Sequence, residues 1–285
     1  MSDESGTEIP VVRIPASVFD GYIIKIKAIV DNWVDGKEAF RHFNASGDAE
    51  SLLSGLPIKV GPGAQSGVVL RKSTFVELGN PSAGSCAFPL WSQDSDLLRD
   101  GQITLIGPDI GECEGESLPF AQVLMVAGAG LSYARQSDLE QVQYVGDQVE
   151  GYMIRSAPGR IWSRVSRDIM DKGFGFEMLG RALMALYKRT MPEIESMELL
   201  FVTSGRTAVE QIGAMSDEVR SLGDQFLKQE WLDRGIDLDT CMEHDCTSCH
   251  EKEDCDDIRD VVQLAQKAKR EKKRQKAKLA PQAPD

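Results

Sequence analysis

What most narrows the fold of this chain is an alternation of short and long apolar patterns between residues 68 and 235. Val68 to Leu70, Thr74 to Leu78, Ile103 to Ile106 and Gln122 to Val126 are brief β-rich runs bounded by Gly, Pro, Asn or Asp, which is how strands closed by turns read. Glu198 to Thr203 repeats that pattern further on. The intervening stretches Leu139 to Ile154, Glu177 to Lys188 and Thr207 to Trp231 are longer, and in the second of them Met178, Ala182, Ala185 and Leu186 recur at steps of three and four. That period lines one face of a helix. Strands interleaved with helices predict an α/β domain, a layered mixed sheet with flanking helices. There is no internal repeat.

The flanks of this domain read differently. Residues 1–12 predict a disordered arm, 13–60 a small N-terminal α/β extension, 61–235 the main domain, 236–265 a cysteine-cluster segment and 266–285 a basic tail. In the extension, Ile24, Ile26, Ala28 and Val30 alternate with Lys25 and Lys27, the two-residue period of a half-buried strand from Gly21 to Trp33. Asp35 to Leu53 predicts a helix carrying a partly exposed His42, and the Gly- and Pro-rich stretch from Gly55 onward predicts a linker or wide loop.

Charge separates the tail from the body. Lys267 to Lys278 holds eight Lys or Arg and one Glu, a charge of +7, which leaves −20 for the rest of a chain whose total is −13. A body this acidic disfavours nucleic acid as a partner, while the tail suits either a solvated helix end or an arm that meets an acidic protein. No apolar run approaches the ~18 residues that cross a bilayer, and the opening MSDESGTEIP lacks the basic and apolar parts of a signal peptide. A cytoplasmic location is expected. At 285 residues the chain is long enough for a real core without disulfides.

Four of the six cysteines fall at Cys241, Cys246, Cys249 and Cys255. In a reducing compartment such a cluster points to metal binding rather than cross-links. The spacing C-x4-C-x2-C-x5-C favours a 4Fe-4S iron–sulfur cluster, since four thiolates on one short loop can wrap a cubane; zinc is the alternative, and plain redox or structural thiols the third. His244 and His250 are interleaved and could replace a thiolate. The surrounding Glu243, Asp245, Glu251, Glu253, Asp254, Asp256 and Asp257 would disfavour adding an electron and lower a cluster's potential.

A second candidate site is Arg155, Arg160, Arg164 and Arg167, clustered without an acid among them in an otherwise acidic chain. Guanidinium forks match phosphate oxygens, and Trp162 between them could stack on adenine. The competing reading makes Ile161, Trp162 and Val165 core and pairs the arginines with acids such as Asp168 and Asp171. Gly128-Ala129-Gly130 lacks the third glycine of a dinucleotide fingerprint and reads as a tight turn; Cys86 and Cys113 read as buried thiols.

Three separated runs resemble one family. Thr74-Phe-Val-Glu-Leu-Gly-Asn-Pro81, Asp100-Gly-Gln-Ile-Thr-Leu-Ile-Gly-Pro-Asp-Ile110 and Arg160-Ile-Trp-Ser-Arg-Val-Ser-Arg-Asp-Ile169 are similar in content, order and separation to the middle region of the acetyl-CoA synthase component of the carbon monoxide dehydrogenase/acetyl-CoA synthase complex. The resemblance covers about 155 residues, through Met184 and the strand near Phe201. It implies an α/β region that holds coenzyme A and moves relative to its neighbours, with a nickel–iron–sulfur centre in a following domain. The family's Cys-Gly-Cys pair does not occur in this sequence, and Cys255 follows Cys249 too closely for the family's spacing. Acetyl-CoA synthesis by this polypeptide alone is therefore not expected. Three readings stand: an iron–sulfur subunit or accessory protein that binds a coenzyme A thioester or a partner enzyme within a multi-subunit complex and serves electron transfer or complex organisation; an enzyme subunit for acyl or one-carbon transfer on coenzyme A, with catalytic metal from another chain; and a zinc-stabilised scaffold.

Overall fold

The structure is a computed structural model, and it describes residues 19–233 except 37–38, 65–67, 133–134, 136–137, 141–147 and 158. The four-cysteine segment and the basic tail lie outside the described residues. In chain order the strands are β1 (Phe40–Asn44), β2 (Thr74–Leu78), β3 (Ser85–Ser92), β4 (Gln102–Ile106), β5 (Ser117–Leu118), β6 (Phe120–Ala127), β7 (Tyr152–Ala157), β8 (Arg160–Ser166) and β9 (Ser196–Val202). The helices are α1 (Asp20–Asp35), α2 (Ala49–Leu53), α3 (Phe176–Thr190) and α4 (Arg206–Asp233). Two mixed sheets result, so the α/β layering read from the sequence is present.

The larger sheet runs β1-β4-β9-β6-β3, with parallel pairs β4/β9 and β3/β6 and antiparallel pairs β1/β4 and β6/β9. Its central strands are near-continuous apolar runs, and every residue of β6 is buried, as expected of a sheet covered on both faces. Phe120, Phe176 and Phe201 pack together against it, the last two with ring centroids 4.9 Å apart. Helix α3 lies close on this sheet because Gly180 faces Ile103: a Cβ there would come within 2.6 Å of Ile103 Cδ1. The smaller sheet runs β5-β2-β8-β7 and includes the β7–β8 hairpin.

The sheets meet where β3 passes β8. Ala87 N–H donates to Gly159 O at 3.0 Å, Ile161 N–H donates to Ser85 Oγ at 2.9 Å, and Ser85 Oγ in turn donates to Ile161 O. Gly79 makes this crossing possible, with φ of +69° and no room for a side chain.

Several expected elements are corrected. Gly21 to Trp33 is helix α1, not a strand: Phe19, Ile23 and Ile26 are buried while Ile24 is 56% exposed, so the burial steps are those of a helix. Within Asp35 to Leu53 the chain forms β1 and then the short α2. His42 is therefore on a strand, with Nδ1 3.0 Å from Thr104 Oγ1 across the β1/β4 pair. Val68 to Leu70 is not a strand, and Val68 and Leu70 are exposed. Tyr152 to Ile154, expected to end a helix, opens β7. Strand β3 carries Pro89, a residue that argues against a strand except at an edge, and β3 is the edge strand of its sheet.

Candidate functional site

A cleft of about 330 Å³ opens at this junction. The β2–β3 turn contributes Gly79, Pro81, Gly84 and Ser85, the β7–β8 hairpin contributes Arg155, Arg160, Ile161 and Trp162, and the first turns of α4 contribute Arg206 and Glu210. Alternation along β8 explains the lining. Ile161, Ser163 and Val165 point inward and are buried, while Arg160, Trp162 and Arg164 take the opposite face. Arg155 stands opposite Trp162 in the hairpin register.

The five residues of the arginine-rich run therefore divide. Arg155 and Arg160 are exposed, line the cleft and form no ion pair among the described residues. Arg164 is committed: its Nε donates to Glu77 Oε1 at 2.8 Å, and its guanidinium carbon lies 4.7 Å from the centroid of the Trp162 ring. Arg155 also leans on that ring, at 5.3 Å. Arg167 pairs with Glu114 and sits 5.9 Å from the Phe75 ring. The acids that pair with Arg164 and Arg167 are thus Glu77 and Glu114, from distant parts of the chain, rather than Asp168 and Asp171. Trp162 is half-buried, and its indole Nε1 is buried without a hydrogen-bond partner. The guanidinium groups of Arg155 and Arg164 lie against its ring.

Glu77 organises one wall. Burial alone would raise its carboxyl pKa, but hydrogen bonds from Asn80 and Arg164, with the positive charges of Arg164 and Arg71, hold it below the ordinary glutamate value. Asn80 Nδ2 reaches Glu77 Oε2 at 2.8 Å, and Asn80 Oδ1 accepts from the Ser82 backbone N–H at 3.0 Å. On the opposite wall Arg206 pairs with Glu210 at 2.7 Å. Arg206 was not legible in the sequence because it lies on a helix some forty residues after the hairpin arginines; Glu77 and Asn80 stood out only as part of the run Thr74 to Pro81, with no chemistry attached. Arginines facing a cleft through free guanidinium forks can hold an anion with phosphate-like oxygens.

The remaining candidates are packed. Cys86 is buried, which pushes its thiol up to about 12, and burial together with Glu116, Glu112 and Asp109 raises Cys113. Gly128 meets backbone: a Cβ would lie 2.1 Å from Glu193 O, so this glycine serves a close chain approach. Among the described residues no three His, Cys, Asp or Glu side chains gather as a metal site, and Cys241, Cys246, Cys249 and Cys255 lie outside those residues. No helix among the described residues is long and apolar enough to cross a membrane.

Fold and cleft together define an α/β domain with two mixed sheets and an arginine-lined cleft where they join. Residues 56–208 match the family model described as the CO dehydrogenase/acetyl-CoA synthase complex beta subunit, and the chain belongs to that family. It is 35% identical over 155 residues to an acetyl-CoA decarbonylase/synthase complex subunit beta from Methanopyrus kandleri, covering 53% of this chain and 33% of the relative. To the corresponding subunit of Methanothermobacter thermautotrophicus it is 30% identical over 183 residues, 61% of this chain and 39% of the relative. A subunit beta 1 from Methanosarcina thermophila is 28% identical over 199 residues, 69% of this chain and 41% of the relative. The chain thus spans about two fifths or less of the length of these relatives.

Proposed function

We propose that this chain is an accessory member of the family that binds a coenzyme A thioester in the cleft between β8 and α4, within a multi-subunit complex. The observation that carries this reading is the pair Arg155 and Arg160, exposed at the cleft and free of acid partners among the described residues, in a chain of net charge −13. The neighbouring Arg164, Arg167 and Arg206 are each held by an acid; two unpaired cations on one concave surface suit the phosphate groups of a nucleotide-bearing acyl carrier. The relatives' names, which specify acetyl-CoA chemistry and a complex, support both the ligand class and a protein partner. Titration calorimetry of the full chain with coenzyme A tests the reading: replacing both Arg155 and Arg160 with Ala is expected to weaken binding by at least about tenfold, and undetectable binding by the parent protein removes the proposal.

For the four cysteines we propose a 4Fe-4S cluster that serves electron transfer or organises the complex, on the support of their spacing alone. Anaerobic purification with metal and sulfide analysis is expected to give about four of each per chain, both lost in Cys249→Ala. Stoichiometric zinc without sulfide would instead favour the scaffold.

A further inference from the structure

Resting on the coenzyme A reading, we infer that Glu77 is the positioning residue of the cleft: it holds Arg164 on the Trp162 ring and the β2–β3 turn in place, leaving Arg155 and Arg160 to meet the ligand's phosphates. Glu77 and Arg164 are register partners across the antiparallel β2/β8 pair, so the ion pair is built into the strand alignment. Each carboxylate oxygen has its own donor, Arg164 Nε on Oε1 and Asn80 Nδ2 on Oε2, both at 2.8 Å. Both side chains of the ion pair are mostly shielded, 17% exposed for Arg164 and 18% for Glu77, so the pair is screened less than a surface one. One carboxylate thereby joins three parts of the site. It fixes the guanidinium that lies 4.7 Å from the indole centroid, the indole on which Arg155 rests at 5.3 Å, and the turn that carries Pro81 to the cleft wall.

The ion pair also sorts the arginines. Four lie close together on β7, β8 and the residue that follows, yet they are not equivalent: Glu77 neutralises Arg164 and Glu114 neutralises Arg167, which leaves a cationic surface limited to Arg155 and Arg160 on the hairpin, facing Arg206 across the cleft. Without Glu77, Arg164 would be a mostly shielded cation with no acid partner, kept in place only by the long hydrogen bond from Nη1 to Val69 O at 3.4 Å and by the ring contact. Trp162 acts here as a platform for arginines rather than as a stacking surface for a base.

The test compares the full-length parent with Glu77→Gln, Arg164→Lys and the double variant, measuring the coenzyme A dissociation constant, the thermal midpoint and the indole emission that disappears in a Trp162→Phe background. Arg164→Lys keeps the charge but loses the planar group over the indole, which provides a second route if Glu77→Gln folds poorly. Expected are a weakening of roughly tenfold in each single variant, no further loss in the double, and the same Trp162-dependent emission change in all three, with thermal midpoints that do not track the loss of binding. Parent and Glu77→Gln binding coenzyme A equally tightly would overturn the positioning role while leaving the coenzyme A reading intact. Additive losses with unchanged Trp162 emission would do the same, and absence of binding by the parent would overturn both.

Discussion

Gly79 and Gly55 make a matched pair at the level of single residues. Both have positive φ, +69° and +75°, but a Cβ on Gly55 meets nothing within 4 Å, whereas one on Gly79 would stand 2.2 Å from Ile161 O and 3.2 Å from Ser85 Oγ. Placing an L side chain at positive φ costs about 1–2 kcal/mol by itself. Gly55→Ala should therefore lower unfolding free energy by about that amount. Gly79→Ala must in addition move the backbone where β2 leaves for the cleft, so its loss is expected to be larger, about 3 kcal/mol or more. Urea unfolding of the two variants beside the parent checks the difference; equal losses would mean that the β3–β8 crossing yields at no cost. The rule that glycine punctuates turns was readable in Leu78-Gly79-Asn80-Pro81, but the backbone carbonyl that makes this one indispensable comes from residue 161.

At the scale of elements, α1 shows why part of the fold was hidden. Its isoleucines and valines favour a strand by composition, and Lys25 and Lys27 happen to alternate with apolar neighbours. The signal that decides is the set Phe19, Ile23 and Ile26, continued by the partly buried Val30, Trp33 and Val34, at helical steps. Strands β2, β4, β6 and β9 and helices α3 and α4 were legible because pattern and burial agree there. Strand β3 was not, since Pro89 masks it, and the β7–β8 hairpin was missed because its polar residues face the cleft. Helix α1 is fastened by a polar contact that no periodicity announces: Lys27 Nζ donates to Glu198 Oε1 at 2.7 Å, and Glu198 is only 3% exposed in the middle of the sheet. Lys27→Met leaves that carboxylate buried with the Arg99 backbone N–H as its remaining partner, at an expected cost of about 2–4 kcal/mol. Replacing both groups, in Lys27→Met with Glu198→Leu, removes the stranded charge and should recover part of the loss. Chemical denaturation of the single and double variants decides it; a double variant as unstable as the sum of the two singles would contradict the account.

For the molecule as a whole, ion pairs join segments far apart in sequence, and their carboxylates titrate together. Glu77 is held down by Asn80, Arg164 and Arg71 against burial; Glu150 by Lys172 and the Lys59 backbone N–H; Glu112 by the Asp109 backbone N–H and Arg41; Glu193 by its own backbone N–H and Arg135. Each folded-state pKa lies below the unfolded one, so the unfolded chain takes up the proton first as pH falls. The stability these groups contribute is therefore complete above the unfolded carboxylate range, near pH 4–5, and is lost as pH falls through the lower folded values. An opposing effect acts at the same time, because acidification relieves the self-repulsion of a chain at −13. Comparing variants separates the two. Glu77→Gln combined with Glu150→Gln removes two specific pairs while changing the net charge by only two units, so the repulsive background is nearly shared with the parent. The combined variant is expected to be less stable than the parent at pH 7, and the gap between them should close as pH falls below about 4. Thermal unfolding of both proteins from pH 7 downward checks this. A gap that stays constant with pH would show that the two substitutions act through packing, and that the cation partners Arg164 and Lys172 do not draw their carboxylates into the charged state.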